Sequence, residues 1–555
     1  MQKSSAYPLP TWLFWVWGIL TLVTLTMAPL FDYDETIYAQ TAIDMMRHSE
    51  WIVPTANGLQ FFEKPPFTYY MMDLCFSLFG ENAFAARLPS ALFTMITAML
   101  LFHFGTRLHS RHFGLMVAAI FLSMLEVGFL AHAAILDAVL NCFIAASLLN
   151  YALWLHGGER KHALWTAAMM GVAVSIKGPV GAVVPIMVIM IERLLMGQFR
   201  KLLLDIPWLW ALALFLLTAT PWYLMILAEH GPGFLYEFIW VQNVGRALHP
   251  MQGHGGGFHY YIVVFVVSVL PWLAAIPWAF KQGWHTLQGD DALPLLTRLA
   301  LILTVLVMVL FSFAQTKLPH YISSIYPGIA LLLAAAWLRQ PLAEKHALNI
   351  VRFTLLLLLP VGLLLLLFPV LYPWLQALTH HPRAVAVLAQ DIHPGLLTST
   401  FGLLLLATLV WLARQKGARS LLSGLIVTGM VLQFSLLVGL GSFAGKLIQA
   451  PTMAIVEQLQ QQPQSLPFYS YNLNAPSVSF YAKRNYALML SGDGAEKLRQ
   501  MKSPYLLMLR SESRKDLSWL ALLKPVLDQG GFLLYSVTAT NKGHGKNKVS
   551  RLCAG

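Results

Sequence analysis

The sequence predicts a mainly α fold: a polytopic helical bundle in a membrane, carrying a small C-terminal α/β domain. Three observations carry this. The 555-residue chain is 57% hydrophobic and only 11% charged. Its mean hydropathy is +0.63, and apolar runs of about 18–25 residues recur along it, each long enough to cross a bilayer as a helix. After about residue 447 the runs shorten to four or five residues interleaved with polar ones, the pattern of strands rather than spans.

A window of about 19 residues gives spans near 12–30, 83–106, 112–130, 133–156, 162–177, 179–196, 206–228, 258–280, 297–315, 322–339, 350–372, 396–413 and 420–442, about thirteen helices. The first run is too long for a signal-peptide core and lacks a small-residue cleavage site, so it is expected to remain as a span. The fifth and sixth are separated only by Lys177-Gly178-Pro179, which is either a turn between two helices or a kink in one.

The formal net charge of +12 does not indicate a nucleic-acid partner, because the basic residues fall in short clusters between apolar runs. Arg107 and Arg111, Arg160-Lys161, Arg193 with Arg200-Lys201, and Arg414 with Lys416 fall on one predicted side, which the positive-inside rule makes cytoplasmic. The segments 31–82 and 229–257 then lie on the outer side. So does a soluble α/β domain over 447–540, with strand-like runs at 467–471, 486–490, 505–509 and 532–535 and a helix-like stretch at 494–500. The membrane domain covers 1–446, and the Gly/Lys-rich residues 541–555 read as a disordered tail. Cys75, Cys142 and Cys553 are too scattered for a disulfide framework or a thiolate metal site.

Ionisable groups beside membrane spans are costly, so those on the outer side are the first candidates for chemistry. Asp34, in Asp34-Glu35, follows the first span, and Asp137 opens the fourth, which brings two carboxylates to one membrane level. Such a pair can take a proton, orient a nucleophile or hold a cation, whereas a single Asp in a first turn can equally be a helix cap. Glu63-Lys64 in Phe62-Glu63-Lys64-Pro65-Pro66 is a catalytic pair or a surface ion pair. The stretch Met45 to Trp51 before it reads as an amphipathic helix lying on the membrane. Lys64, Lys177, Arg246 and Lys317 are cations on the side where orientation does not call for them, and phosphate is the natural counter-group; the alternative for each is snorkelling at a span end. His249, His254, His259 and His320 share this side, so a divalent metal with Glu63 among its ligands stays open, although their spacing fits no standard ligand motif.

Asp34-Glu-Thr-x-Tyr38, Trp51-Ile-Val-Pro54, Gly58-Leu-x-Phe-Phe-Glu-Lys-Pro65, Leu136-Asp137, Ile176-Lys-Gly178 and Thr316-Lys-Leu-Pro-x-Tyr321 occur in this order. Together they resemble the bacterial protein O-mannosyltransferase-like GT-C glycosyltransferases, and within them the lipid A aminoarabinose transferases. The resemblance implies an inner-membrane glycosyltransferase of a Gram-negative bacterium. Its donor would be an undecaprenyl-phosphate-linked sugar, its acceptor lipid A or another envelope molecule, and its site would face the periplasm. It implies Asp34, Asp137 and Glu63 as catalytic carboxylates, Lys64, Lys177, Arg246 and Tyr321 around the carrier phosphate, and Tyr38 as a cavity aromatic. A monomer is expected. Two positions depart from the branch: Ile37 stands where it has Arg, and Asn243 where it has a metal-site His, which leaves the sugar and the metal open. A polytopic transporter is the rival from another class, but carriers gather their charges at the midplane rather than at one face.

Overall fold

A computed structural model describes residues 11–250, 255–285, 291–339 and 342–538. The tail 541–555, Cys553 and His254 lie outside these residues. Among the described residues, seven helices are long and apolar enough to cross a membrane: Ala83–Leu108, Asp137–Gly157, Ala292–Phe313, Pro319–Arg339, Glu344–Leu378, Leu396–Ala413 and Ser420–Gln460. Counting each bent pair of helices as one span raises this to ten, short of the thirteen expected.

Hydropathy windows register composition but not bends or helix length: three predicted spans are bent pairs, and the three that fall outside the count, near 12–30, 162–177 and 179–196, hold the helices Trp12–Thr24, Arg160–Lys177 and Val180–Leu195. Arg111–Leu122 and Leu125–Ala131 meet at 73°, Phe199–Asp205 and Trp208–Ala219 at 79°, and Tyr260–Ser268 and Trp272–Trp284 at 105°. Pro207 and Pro271 stand at the last two breaks, where a missing N–H and a clashing ring interrupt the helical ladder. The first predicted span holds a helix of only 13 residues, α1 (Trp12–Thr24).

Between α1 and the first long span lie α2 (Asp34–His48), a small hairpin of β1 (Thr55–Ala56) and β2 (Leu59–Gln60), and α3 (Phe67–Phe79). Asp34 and Glu35 in the first turn of α2 and Arg47 and His48 in its last turn complement its dipole. The hairpin turns at Asn57-Gly58, both with positive φ, as a tight two-residue turn requires. The structure corrects one expectation here: Met45–His48 is the last turn of α2, and the chain leaves the helix at Ser49, so the stretch to Trp51 is a helix end and a bend rather than a helix of its own. Ile37, Ala39, Ala42, Ile43 and Met45 are all buried, because α3 and the C-terminal domain enclose α2. Arg47, His48, Ser49, Glu50 and Trp51, by contrast, are exposed, Trp51 at 46%.

The spans that matter for the site are α4 (Ala83–Leu108), α5 (Arg111–Leu122), α6 (Leu125–Ala131), α7 (Asp137–Gly157), α8 (Arg160–Lys177) and α9 (Val180–Leu195). The ambiguity at Lys177-Gly178-Pro179 resolves into a tight hairpin of two helices. Gly178 caps α8 at φ +77, and its N–H donates to the Val174 carbonyl at 2.8 Å. A Cβ on Gly181 would stand 2.3 Å from the Ala173 carbonyl carbon, so α9 runs back along α8 with backbones in contact. Gly178 leaves no room either, since a Cβ there would meet the Phe238 ring at 2.9 Å.

The helix Ser442–Gln460 leads into a five-stranded sheet of order β4-β3-β5-β7-β6, with β3 (Phe468–Tyr471) parallel to β4 (Ala487–Met489) and β5 (Tyr505–Arg510), and β7 (Phe532–Val537) antiparallel to β5 and to β6 (Leu527–Gln529). Central strand β5 alternates strictly: Leu506 and Met508 join Ile455 and Leu459 on one face, and Tyr505, Leu507 and Leu509 join Leu517 and Leu520 on the other. The helix Pro476–Ala482 docks this domain onto α2. Asp32 accepts from the Ser477 N–H at 2.9 Å, from its hydroxyl, and from Thr36 at 2.6 Å, while the Leu30 N–H donates to Tyr481 at 2.9 Å.

A buried ion pair holds the junction of these parts. Arg87 on α4 forks onto Glu35, donating from Nε at 2.8 Å and Nη2 at 2.7 Å, and also donates to the carbonyls of Leu25, Ala28 and Pro29 after α1. Glu35 accepts in addition from the Phe31 and Ala134 N–H groups. Removing one partner strands a buried charge, a loss of about 3–5 kcal/mol. Arg87→Met is therefore expected to lower the thermal midpoint of the detergent-solubilised chain steeply, and Arg87→Met/Glu35→Leu to recover part of that loss. A single variant that melts with the unaltered protein would contradict this.

Candidate active site

Two carboxylate–cation pairs converge where α7, α8 and α9 meet the segments 31–82 and 229–257. Asp137, the first residue of α7, receives the ammonium of Lys177, the last residue of α8, at 2.6 Å. Its carboxylate is engaged by side chains from two other elements. Its other oxygen stands 3.6 Å from His320 Nε2. Lys177 also lies over the Tyr321 ring, 4.7 Å from its centre. One turn along α7, Asn141 donates to Ser323 at 2.9 Å, which fixes the turn carrying His320 and Tyr321 against α7. The second pair is Glu63–Arg246 at 2.7 Å, with Arg246 also donating to Gln242 and Tyr321. Lys64 is buried beside it and donates to the Glu63 carbonyl at 3.0 Å.

Lys64, Asp137, Lys177, Arg246 and Tyr321 line one cavity of about 470 Å³. Its charged end continues into an apolar cleft walled by Leu140, Ile144, Val180, Val184, Leu310 and Phe311. Burial, reinforced by Arg246 and partly offset by Glu63, pushes the Lys64 ammonium down to about 7. The cavity is therefore shaped for a ligand with an anionic head and a long apolar tail.

Asp34 lines a second cavity of about 330 Å³, together with Tyr33, Arg87, His132 and His320. His320 is thus the partition: it borders this cavity and contacts Asp137 of the first. Asp34 is half-buried and, among the described residues, its carboxylate has no hydrogen-bonding or ion-pair partner. Glu35, its sequence neighbour, is spent entirely on Arg87 and two backbone groups. Tyr38 packs against Tyr69 with ring centres 6.1 Å apart, and burial raises its hydroxyl pKa well above the usual value, as the carboxylates of Glu63 and Asp34 do to a lesser degree.

Of the expected residues, Glu63 and Tyr38 line neither cavity, although Glu63 pairs with Arg246, and one, Lys317, is turned away altogether. Lys317 is buried, but its ammonium donates to the carbonyls of Phe311, Ser312 and Ala314 at the end of the helix Ala292–Phe313, and it borders neither cavity. It caps a helix C-terminus, a role that sign and sequence position do not distinguish from phosphate binding. The described residues do not assemble a metal site either, His254 lying outside them. Among the described residues no group of three or more His, Cys, Asp or Glu is arranged to hold one, Glu63 is engaged by Arg246, and Asn243 donates to the Phe238 carbonyl at 2.6 Å. His320 and Gln242 had weaker signals: a histidine beside Tyr321, and a polar residue one helical turn before Arg246.

A family model described as dolichyl-phosphate-mannose-protein mannosyltransferase matches residues 63–224. The undecaprenyl phosphate-alpha-4-amino-4-deoxy-L-arabinose arabinosyl transferase of Serratia proteamaculans is 31% identical over 325 residues, 57% of this chain and 57% of that protein. The enzyme of that name from Erwinia tasmaniensis is 29% identical over 391 residues, 69% of this chain and 68% of its own. Among solved structures, ArnT from Cupriavidus metallidurans bound to undecaprenyl phosphate superposes with a TM-score of 0.79 at 19% identity, over 95% of this chain and 98% of that one. Its apo form gives 0.77 at 20% identity. The chain has the fold of ArnT, and it is similar in sequence to the undecaprenyl phosphate-alpha-4-amino-4-deoxy-L-arabinose arabinosyl transferases over about 57–69% of its length.

Proposed function

We propose that this chain is an inner-membrane glycosyltransferase that moves a sugar, aminoarabinose or a related one, from an undecaprenyl-phosphate donor to lipid A or another envelope acceptor on the periplasmic face. One observation carries the reading: Lys64, Lys177 and Arg246 share a cavity whose walls turn apolar beyond them, which suits a polyprenyl phosphate. The names of the similar enzymes, which specify undecaprenyl phosphate and aminoarabinose, support the same donor.

The chemistry is an inverting displacement. The acceptor oxygen forms its bond to the anomeric carbon as the bond from that carbon to the phosphate oxygen breaks. The electron pair stays with the phosphate, which passes from a diester monoanion to a monoester dianion. Cations already beside the phosphate stabilise the dianion more than the monoanion, so they lower the barrier rather than merely binding the donor. Asp137 is engaged by Lys177, whereas Asp34 has no such partner among the described residues and borders the adjoining cavity from which an acceptor would approach. A hydroxyl acceptor would give its proton to Asp34; an acceptor phosphate, already anionic, needs no base, and Asp34 then orients the reactants.

Asp34→Asn is expected to lower transfer by about 100-fold or more while leaving undecaprenyl phosphate affinity unchanged. The assay uses membranes supplied with undecaprenyl-phosphate-linked sugar, with mass spectrometry of lipid A; undiminished transfer would overturn the role of Asp34, and sugar found only on protein would reassign the acceptor. Lys64 supplies a pH test. Its charged form dominates below about pH 7 and is lost above it, so undecaprenyl phosphate affinity should weaken from pH 7.5 to 9, by up to about tenfold per unit. Lys64→Arg, charged throughout, should remove that slope, and an unchanged slope would assign it to another group.

A further inference from the structure

The opposite ends of the same three helices hold a second built site. Twenty residues of α7 separate Asp137 from Gly157, about 30 Å at the helical rise, which is the thickness of a bilayer core. There a polar cavity of about 500 Å³ is lined by four basic side chains, Arg160 on α8, Arg193 on α9, Lys201 on the helix α10 (Phe199–Asp205) and Arg298 on Ala292–Phe313, against a single carboxylate, Asp205. Arg193 and Arg298 are buried, with exposures of 6% and 2%.

Their positions are fixed from behind. Glu192, fully buried, accepts from Arg193 Nε at 2.5 Å and Nη2 at 2.7 Å, from Arg298 Nε at 3.1 Å, and from the Tyr151 hydroxyl at 3.0 Å. Gln198 takes the remaining Arg193 arm at 2.7 Å. Orientation of charge in a bilayer needs only basic residues free in solvent, and it does not call for guanidiniums buried and held by a carboxylate scaffold.

Trp154 and Leu202 separate this cavity from another of about 460 Å³ and form part of both. The second is almost wholly apolar, floored by residues such as Ala167 and Met170. Its rim, with Ile186, Met190, Leu203, Trp208 and Leu212, consists of exposed apolar side chains on the outside of the bundle. A cationic chamber opening beside an apolar groove is complementary to one class of molecule, a lipid with an anionic phosphate head.

We propose that the two cavities form a binding site for an anionic phospholipid of the surrounding bilayer, its phosphate among Arg160, Arg193, Lys201 and Arg298 and an acyl chain in the groove between α8, α9 and the helix α11 (Trp208–Ala219). The site is separate from the donor cavity and does not depend on the function proposed above. The groove is what selects a lipid over a free anion, because a small phosphate would leave it empty.

The test is native mass spectrometry of the full chain in detergent, titrated with phosphatidylglycerol, with phosphatidylcholine of the same acyl chains, and with glycerol 3-phosphate as the head alone. The expected result is one retained phosphatidylglycerol, preferred over phosphatidylcholine, and negligible glycerol phosphate. Arg160→Ala/Lys201→Ala alters two exposed rim residues and spares the buried scaffold; it should weaken phosphatidylglycerol about thirtyfold. Ala167→Trp, which fills the groove, should weaken both lipids. Equal retention of the two lipids, glycerol phosphate bound as well as lipid, or unchanged preference in a variant that melts like the parent would each overturn the proposal.

Discussion

The buried Arg87–Glu35 pair is the constraint on which the architecture around the candidate site depends. A guanidinium has five donors, and here they close off the frayed end of α1, through the carbonyls of Leu25, Ala28 and Pro29, and grip the first turn of α2 through Glu35. Glu35 in turn accepts from Ala134, three residues before Asp137. One ion pair therefore sets the distance between the two carboxylates proposed for chemistry, since Asp34 precedes Glu35 on α2 and Asp137 opens α7. Buried pairs are weak sources of net stability, but they define geometry strictly, because any displacement leaves a charge without its counterpart. That property suits a site whose acids come from helices otherwise joined only through apolar packing.

A comparable economy governs the cavity. Its cations are not held ready in isolation, which burial would forbid; Lys177 rests on Asp137 and Arg246 on Glu63. Each pair is nearly neutral at rest, and under the function proposed above a phosphate between them would share cations that are already desolvated and positioned. Lys64 is the exception: among the described residues its ammonium donates to a backbone carbonyl, and burial depresses it to about 7. An anion would restore its charge. The group with the least compensation is thus the one most responsive to ligand.

Much of this was legible in the sequence, for definable reasons. Apolar runs mark helices because a span must satisfy its own backbone, so thirteen predicted segments each contain helix, whereas the bends at Pro207 and Pro271 alter which of them cross as single rods. Strands β3, β4, β5 and β7 follow from short apolar runs; β6, which has one apolar residue in three, carries no such signal. The expectation that cations on the predicted outer side need a reason singled out Lys64, Lys177 and Arg246, and these three line one cavity. The same rule brought in Lys317, whose reason is a helix terminus. Docking of the C-terminal domain through Asp32 and Ser477, residues 445 positions apart, has no local signature at all.

The two departures from the aminoarabinose branch also separate once the fold is known. Ile37 is 4% exposed and belongs to the apolar cluster that packs α2 against Leu25, Leu30 and Ala134, so a side chain there acts on the seat of α2 rather than on a ligand. Asn243 lines the cavity proposed for the donor, one turn from Arg246 and beside Gln242. Its amide is anchored to the Phe238 carbonyl, and Phe238 is the ring that Gly178 must be a glycine to admit. Asn243 therefore belongs to the wall that positions Lys177 from one side and Arg246 from the other. An imidazole at that point would present a metal ligand to the phosphate end of the cavity; a carboxamide presents only hydrogen bonds, and leaves charge compensation to the lysines and the arginine.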